Sequence, residues 1–344
     1  MIFDGDPRVA WSHGEQTMLG YGGGDHIDPG IGPDRYLRAA EALRASGKDL
    51  AFASFTFDPD EEGSVVVVPD EVVTIPARGI PAGSPVSLQP DVVLDGIEEW
   101  RRGFDRTMSA LESGRVEKVV LARRMELELG SPPHLPSLAE KLRLTGLSSY
   151  TFLVEGLVGC SPELLVSLRS GRLSSLALAG TAAEAGGLGS NKMEREHRLT
   201  VESVREGLEG HLRLFDEEQR ETLVFGTIHH LGTRIGGLTG PGAAVTDVLS
   251  TLHPTAAVAG TPRAEALGLI REIEPRSRGR YAGPVGWFRP TGEGEFAIAL
   301  RCGVIEGDRA ILYAGGGIVK GSDPDEELEE TEMKLVPMLS ALGG

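Results

Sequence analysis

A lysine inside an apolar strand is the first residue whose placement suggests chemistry. In Glu117-Lys118-Val119-Val120-Leu121-Ala122-Arg123 a repeat of two puts Lys118 on one face with Val120 and Ala122. Burial there disfavours the ammonium form, which is how an amine becomes a general base near neutral pH. The same segment also fits an edge lysine whose head reaches water. Glu163 follows in Gly159-Cys160-Ser161-Pro162-Glu163, a turn into an apolar strand, where a carboxyl held neutral by its surroundings can donate a proton. Cys160 has no cationic neighbour in the local sequence to make it a thiolate and reads as a small buried filler.

Further carboxylates fall on two helical patterns. Lys192, Glu196 and Thr200 stand at i, i+4 and i+8, with His197 adjacent. Glu327, Glu330 and Lys334 stand at i, i+3 and i+7, to one side of the stripe Leu328, Leu335, Leu339 and Leu342. Each helix can aim a carboxylate along the edge of its buried face, and two such oxygens, with waters and an anionic ligand, suit octahedral Mg²⁺. The same residues also satisfy the spacing of solvated i,i+4 charge pairs. Arg301, at the end of a strand with Ala297, Ala299 and Gly303 on its face, describes a pocket floor with a carboxylate-binding fork. Ala314-Gly315-Gly316-Gly317-Ile318 supplies bare backbone N–H groups without the Lys-Ser/Thr of a phosphate loop. His229, His230 and His253 lack metal-ligand spacing; His229 is expected in the core and His230 is a candidate pocket donor.

The elements that must position these residues are strand-rich. Strands are predicted over 64–69, 117–123, 150–154, 164–168, 173–178, 225–231 and 295–305. Helices are predicted over 33–46, over 95–113 from the spacing of Ile97, Trp100, Phe104, Met108 and Leu111, and over 262–274. A long helix over 191–216 opens with an Asn191/Glu194 capping box and carries Val201, Val204, Leu208, Leu212 and Phe215. The last begins at Asp323, with Pro324 in its first turn and Glu326 completing a box. No short repeat or low-complexity linker interrupts the chain. This favours a single α/β domain over 1–344, built on a mostly antiparallel sheet core flanked by helices.

The 344 residues suffice to bury a sizeable core at 40% hydrophobic content. A formal charge of −17 argues against nucleic acid and anionic membrane as partners. No apolar run approaches a membrane span, the N-terminus lacks a signal core, and the two cysteines lack CxxC spacing. A cytoplasmic protein is expected.

In order, the segments KVVLAR, GCSPELLVSL, LAGTAAEAG, NKMEREH, HHLGTRIGG, LHPTAAVAGTPR, YAGPVGW, ALRCGVI and YAGGGIVKGSDPDEELEETEMKL resemble those of chorismate-utilising enzymes, and isochorismate synthases most of all. The resemblance covers about 95–342, leaving 1–90 as the N-terminal part of the same fold. It implies Mg²⁺-dependent isomerisation of chorismate to isochorismate, water adding at C2 as the C4 hydroxyl leaves, for menaquinone or siderophore biosynthesis. By the same resemblance Lys118 is the base and Glu163 the acid. Glu196 and Glu330 hold Mg²⁺, with Glu327 assisting through water. Arg301, Tyr281, Lys334 and the backbone at Gly180, Thr181 and Gly316 hold the substrate's carboxylates.

Lys118 where anthranilate synthases carry Gln, and Ala179 where aminodeoxychorismate synthases carry Lys, imply water rather than ammonia as nucleophile and no glutaminase subunit. Ala257, where salicylate synthases carry Thr, implies that catalysis stops at isochorismate. A salicylate synthase is the next reading, then an ammonia-using subunit. A monomer or weak homodimer is expected. The 181–192 segment is shorter than the family's pattern, and Met193 replaces an acidic residue found there in some members.

Overall fold

The computed structural model describes residues 5–76, 79–81, 90–146, 149–182, 189, 191–225 and 228–343, with the backbone alone at 181, 182 and 191. The chain opens with β1 (Val9–His13), β2 (Gln16–Tyr21), β3 (Asp25–Ile27), α1 (Arg35–Ser46), β4 (Ala51–Ser54), β5 (Val65–Val68), β6 (Glu71–Pro76) and β7 (Asp91–Leu94). It continues through α2 (Ile97–Glu112), β8 (Lys118–Glu128), α3 (Leu135–Thr145), β9 (Tyr150–Val154), β10 (Leu157–Ser161), β11 (Leu164–Arg169), β12 (Arg172–Ala182) and α4 (Asn191–Glu209). The remainder is β13 (Leu212–Glu217), β14 (Glu221–Phe225), β15 (Ile228–Thr239), α5 (Val245–Leu252), β16 (Gly260–Thr261), α6 (Arg263–Ile273), β17 (Pro284–Phe288), β18 (Gly294–Ile298), β19 (Cys302–Glu306), β20 (Arg309–Val319) and α7 (Pro324–Leu342).

Among the described residues the strands form two ten-stranded antiparallel sheets rather than one. The first runs β16-β8-β20-β19-β10-β9-β1-β2-β6, with β7 also on β8. The second runs β13-β15-β12-β11-β18-β17-β4-β5-β3, with β14 also on β15. Alternation along the strands sorts side chains between two cores. Val9 and Trp11 of β1 join Phe52 and Phe296 of the second sheet, and Phe55 just after β4, in the larger one. Ala10, between them, turns to the other face, where Leu138 and Leu142 of α3 and Leu335, Met338 and Leu342 of α7 cover the first sheet. The stripe of α2 buries Trp100, Phe104 and Leu111, and Gly103 lets it close on β8, since a Cβ there would stand 3.0 Å from Leu121 Cδ1.

Two sequence expectations are corrected. The helix over 191–216 ends at Glu209, and Leu212 and Phe215 belong to β13, which pairs with β15 from Leu212↔Thr239 to Glu217↔Ile235. Gly210, a poor helix residue, permits the break, and the spacing of Leu208, Leu212 and Phe215 mimicked one continuous stripe. At the helix start Glu194 pairs with Arg220, while the Asn191 side chain lies outside the described residues. The strand over 295–305 is two strands, β18 in one sheet and β19 in the other, with Arg301 between them rather than in a strand's alternation. No described helix is long and apolar enough to cross a membrane.

Candidate active site

The chain passes between the sheets twice at one place, and both crossings carry a functional side chain. Between β10 and β11 comes Pro162-Glu163; between β18 and β19 come Ala299 to Arg301. The crossings are bonded to each other: the Ile298 N–H donates to the Glu163 carbonyl at 3.1 Å, and the Cys160 N–H to the Arg301 carbonyl at 3.2 Å. Glu163 is 4% exposed. Burial pushes its carboxyl up to about 8, against the opposing pull of Lys118, Lys334 and the Leu178 N–H, so it carries its proton at neutral pH.

Arg301 adopts φ +47°, a left-handed conformation seldom taken by a residue with a side chain. Its Nη2 donates to His230 Nε2 at 2.9 Å, and His230 Nδ1–H then donates to the Gly180 carbonyl at 3.2 Å. Burial first, then the charges of Arg301 and Lys334, hold His230 well below its ordinary value, which keeps Nε2 an acceptor. Burial also lowers Arg301 to about 10. Tyr281 stacks on Tyr313 with ring centroids 4.9 Å apart; burial raises both hydroxyls, that of Tyr313 to about 12.

Lys118 has no exposed surface. Its Nζ lies 3.1 Å from Glu196 Oε1 and donates to Thr200 Oγ1 at 3.3 Å. The glycines of β20 make this packing possible, for a Cβ on Gly317 would stand 2.1 Å from Glu196 Oε1 and 3.0 Å from Lys118 Cε. A Cβ on Gly315 would stand 2.9 Å from the Tyr281 hydroxyl, and one on Gly316 3.3 Å from Glu327 Oε2.

Glu163, His230, Tyr281, Arg301, Glu196 and Lys334 thus surround one cleft; Gly180 and Ala257 also line it. Lys118 lies beneath Glu196 and Gly317, while Gly316, Glu327 and Glu330 stand off the cleft wall. The Thr181 side chain lies outside the described residues. His229 is half-buried, and among the described residues its Nδ1 has no hydrogen-bond partner. Met193 packs on Leu231 and beside Gly180. Sequence reasoning missed Arg278 and Tyr313, and it grouped Lys192 with Glu196 rather than with Glu327. Lys192 carried a signal, since it stands four residues before Glu196, but its partner in the fold is on the other helix.

The helix-borne carboxylates are each engaged by a lysine. Lys334 Nζ lies 2.6 Å from Glu330 Oε1 and donates to the Gly315 carbonyl at 2.7 Å. Lys192 pairs with Glu327, which also accepts from Ser322 Oγ at 2.7 Å. Glu327 is raised by its burial and by the neighbouring charge of Glu330. Lys192 is raised despite burial, because Glu327, Glu330 and Glu196 all act on its ammonium. Among the described residues no three acidic, histidine or cysteine side chains converge as a metal cage would. The charges of Glu327, Glu330 and Glu196 nevertheless all act on the Lys192 ammonium, and hard oxygen donors of this kind fit Mg²⁺.

A proton-bearing carboxyl, an amine and a buried guanidinium around such a cleft define a site for a small carboxylate-bearing molecule. The chain belongs to the chorismate binding enzyme family, whose pattern it matches over residues 87–343. It is 35% identical over 263 residues to the isochorismate synthase MenF of Bacillus subtilis, covering 72% of this chain and 56% of that protein. It is also 35% identical over 288 residues to the salicylate biosynthesis isochorismate synthase of Pseudomonas aeruginosa, covering 78% of this chain and 60% of that protein. The chain therefore spans less than two thirds of the length of these two relatives. Among solved structures, MenF, the menaquinone-specific isochorismate synthase of Escherichia coli, superposes with a TM-score of 0.83 at 25% identity, covering 98% of this chain and 89% of that one.

Proposed function

We propose that this chain is an isochorismate synthase, converting chorismate to isochorismate for menaquinone or siderophore biosynthesis. The observation that carries the reading is a buried carboxyl on the cleft wall, Glu163, that holds its proton to about pH 8, with the Lys118 amine buried directly beneath the cleft residue Glu196. Lys118 removes a proton from the water that bonds to C2. The ring double bonds shift as the C4–O bond breaks, and Glu163 gives its proton to the departing hydroxyl, which leaves as water. Base and acid stand on different elements, Lys118 on β8 and Glu163 on the crossing between β10 and β11, which suits addition and departure at separate ring carbons. Arg301, held by His230, and Lys334 bind the carboxylates, with Tyr281 beside them.

Glu196 and Glu330, assisted by Glu327, would hold Mg²⁺, which when bound screens and orients the ring carboxylate. Ala257 leaves that wall small and apolar, which supports release of isochorismate without pyruvate elimination. The test is incubation with chorismate, with Mg²⁺ or with chelator, and chromatographic identification of the product. Isochorismate formed only with the metal is expected; salicylate and pyruvate as main products would overturn the assignment.

A further inference from the structure

Among the described residues the outer edge of β8 is covered by strands only at its ends, and the Val120 N–H donates to the Ala259 carbonyl at 2.8 Å. Gly260 and Thr261 of β16 pair with Val119 and Lys118, and β7 pairs with Leu127 and neighbouring residues. Between them two side chains occupy the edge. Glu274 Oε1 accepts from the Ala122 N–H at 2.9 Å, and Arg278 Nη2 donates to the Val120 carbonyl at 2.7 Å. The two are bonded to each other through Arg278 Nε and Glu274 Oε2 at 2.8 Å, and both are nearly buried.

Arg278 reaches further. Its Nη1 donates to the Val258 carbonyl at 2.8 Å, beside Ala257, and its own carbonyl accepts from the Tyr281 N–H at 3.0 Å. With Nε, Nη1 and both Nη2 protons committed, most of its donor capacity is spent on protein, although its side chain borders the cleft. A guanidinium so engaged orients groups rather than binding a ligand.

We infer that Arg278 and Glu274 form a side-chain substitute for a missing strand segment, positioning three cleft walls together: β8 with Lys118, the segment with Ala257, and the turn that delivers Tyr281. The catalytic part of this inference rests on the proposed function. A lysine cannot reproduce the planar fork that joins Glu274 to two carbonyls. Displacement of catalytic groups by about 1 Å costs about 10²-fold in rate.

Arg278→Lys, Arg278→Ala and Glu274→Gln should therefore keep the KM for chorismate within about twofold. Arg278→Lys and Arg278→Ala should lose about 10²-fold in kcat, and Glu274→Gln about 10-fold. Added guanidinium should restore part of the kcat of Arg278→Ala and leave the wild type unchanged. Rates refer to whichever product the wild type makes, so the product assignment and the role of Arg278 fail separately. Should the wild type turn over nothing, the Lys118 amine signal in ¹⁵N-lysine NMR decides, and it should move in Arg278→Lys. Variants that melt earlier yet keep kcat within about threefold per folded molecule, or an unmoved Lys118 signal, would overturn the inference. Should Arg278→Ala fail to fold, Arg278→Lys and Glu274→Gln decide by the same criteria.

Discussion

The half of the site that comes from strands and the half that comes from helices are held in different ways. Glu163 and Arg301 sit on two crossings bonded main chain to main chain, and Lys118 sits on a paired strand. Glu196, Glu327 and Glu330, on α4 and α7, are each held by a lysine side chain, Lys118, Lys192 and Lys334 in turn. A group fixed by backbone pairing moves only if the sheet opens, whereas a carboxylate on a lysine can exchange partners where another cation takes the lysine's place, since leaving a buried charge such as Glu327 unpaired costs about 3–5 kcal/mol. The strand half is assembled before any ligand arrives; the helix half is arranged to exchange.

The sharpest way to break this contrast is to remove a strand-borne group. Glu163→Gln and Lys118→Ala should each lower turnover by about 10²- to 10⁴-fold in the chromatographic product assay, the range of general acid–base catalysis. A loss below tenfold in either would take that residue out of the reaction. Crowding the boundary between the halves comes next. Gly317→Ala drives a methyl into both Glu196 and Lys118 and should cost about 10- to 100-fold in kcat. Gly316→Ala, whose methyl meets Glu327 Oε2 at 3.3 Å, should cost only a few-fold. Equal losses would show that the two glycines do not separate the halves.

Acidity gives a third measurement. Glu163 rises from 4.5 to about 8, so between those values the folded chain holds a proton that the unfolded chain has lost. Its contribution to stability is full below about pH 4.5 and is lost as pH rises through about 8. Turnover should fall above pH 8. The melting temperature of Glu163→Gln relative to wild type should rise steadily from pH 5 to 8, and a constant difference would place that proton elsewhere. The smallest effect belongs to the helix half. Lys192→Met should keep turnover at saturating Mg²⁺ within a few-fold, while calorimetry should show tighter Mg²⁺ binding, because the competing ammonium is gone. Weaker binding would mean that Lys192 shapes the carboxylates rather than standing in for the ion.

Much of this was readable from residue order. The period of two around Lys118 left a buried amine and an edge lysine both open, and the structure buries it; Asp323 with Pro324 marked the start of α7, where the Asp323 side chain accepts from the Asp325 and Glu326 N–H groups. What escaped depended on partners distant in the chain. The run through 295–305 looks like one strand because its apolar pattern is unbroken, and only pairing with β11 on one side and β10 on the other splits it. The segment PRSRGRY offers three arginines with nothing local to separate them, yet Arg276 is exposed and Arg278 buried. Likewise Lys192 has a carboxylate at i+4, but in the fold it reaches across to α7.

The left-handed backbone at Arg301 has an evolutionary corollary. Holding a residue with a side chain there costs about 1–2 kcal/mol, and glycine would relieve it. Burial of the guanidinium adds a second penalty at the same position. Selection for heat tolerance alone, without demand for product, should therefore tend to discard this arginine early, and its retention in a lineage would be a sign that the cleft is still in use.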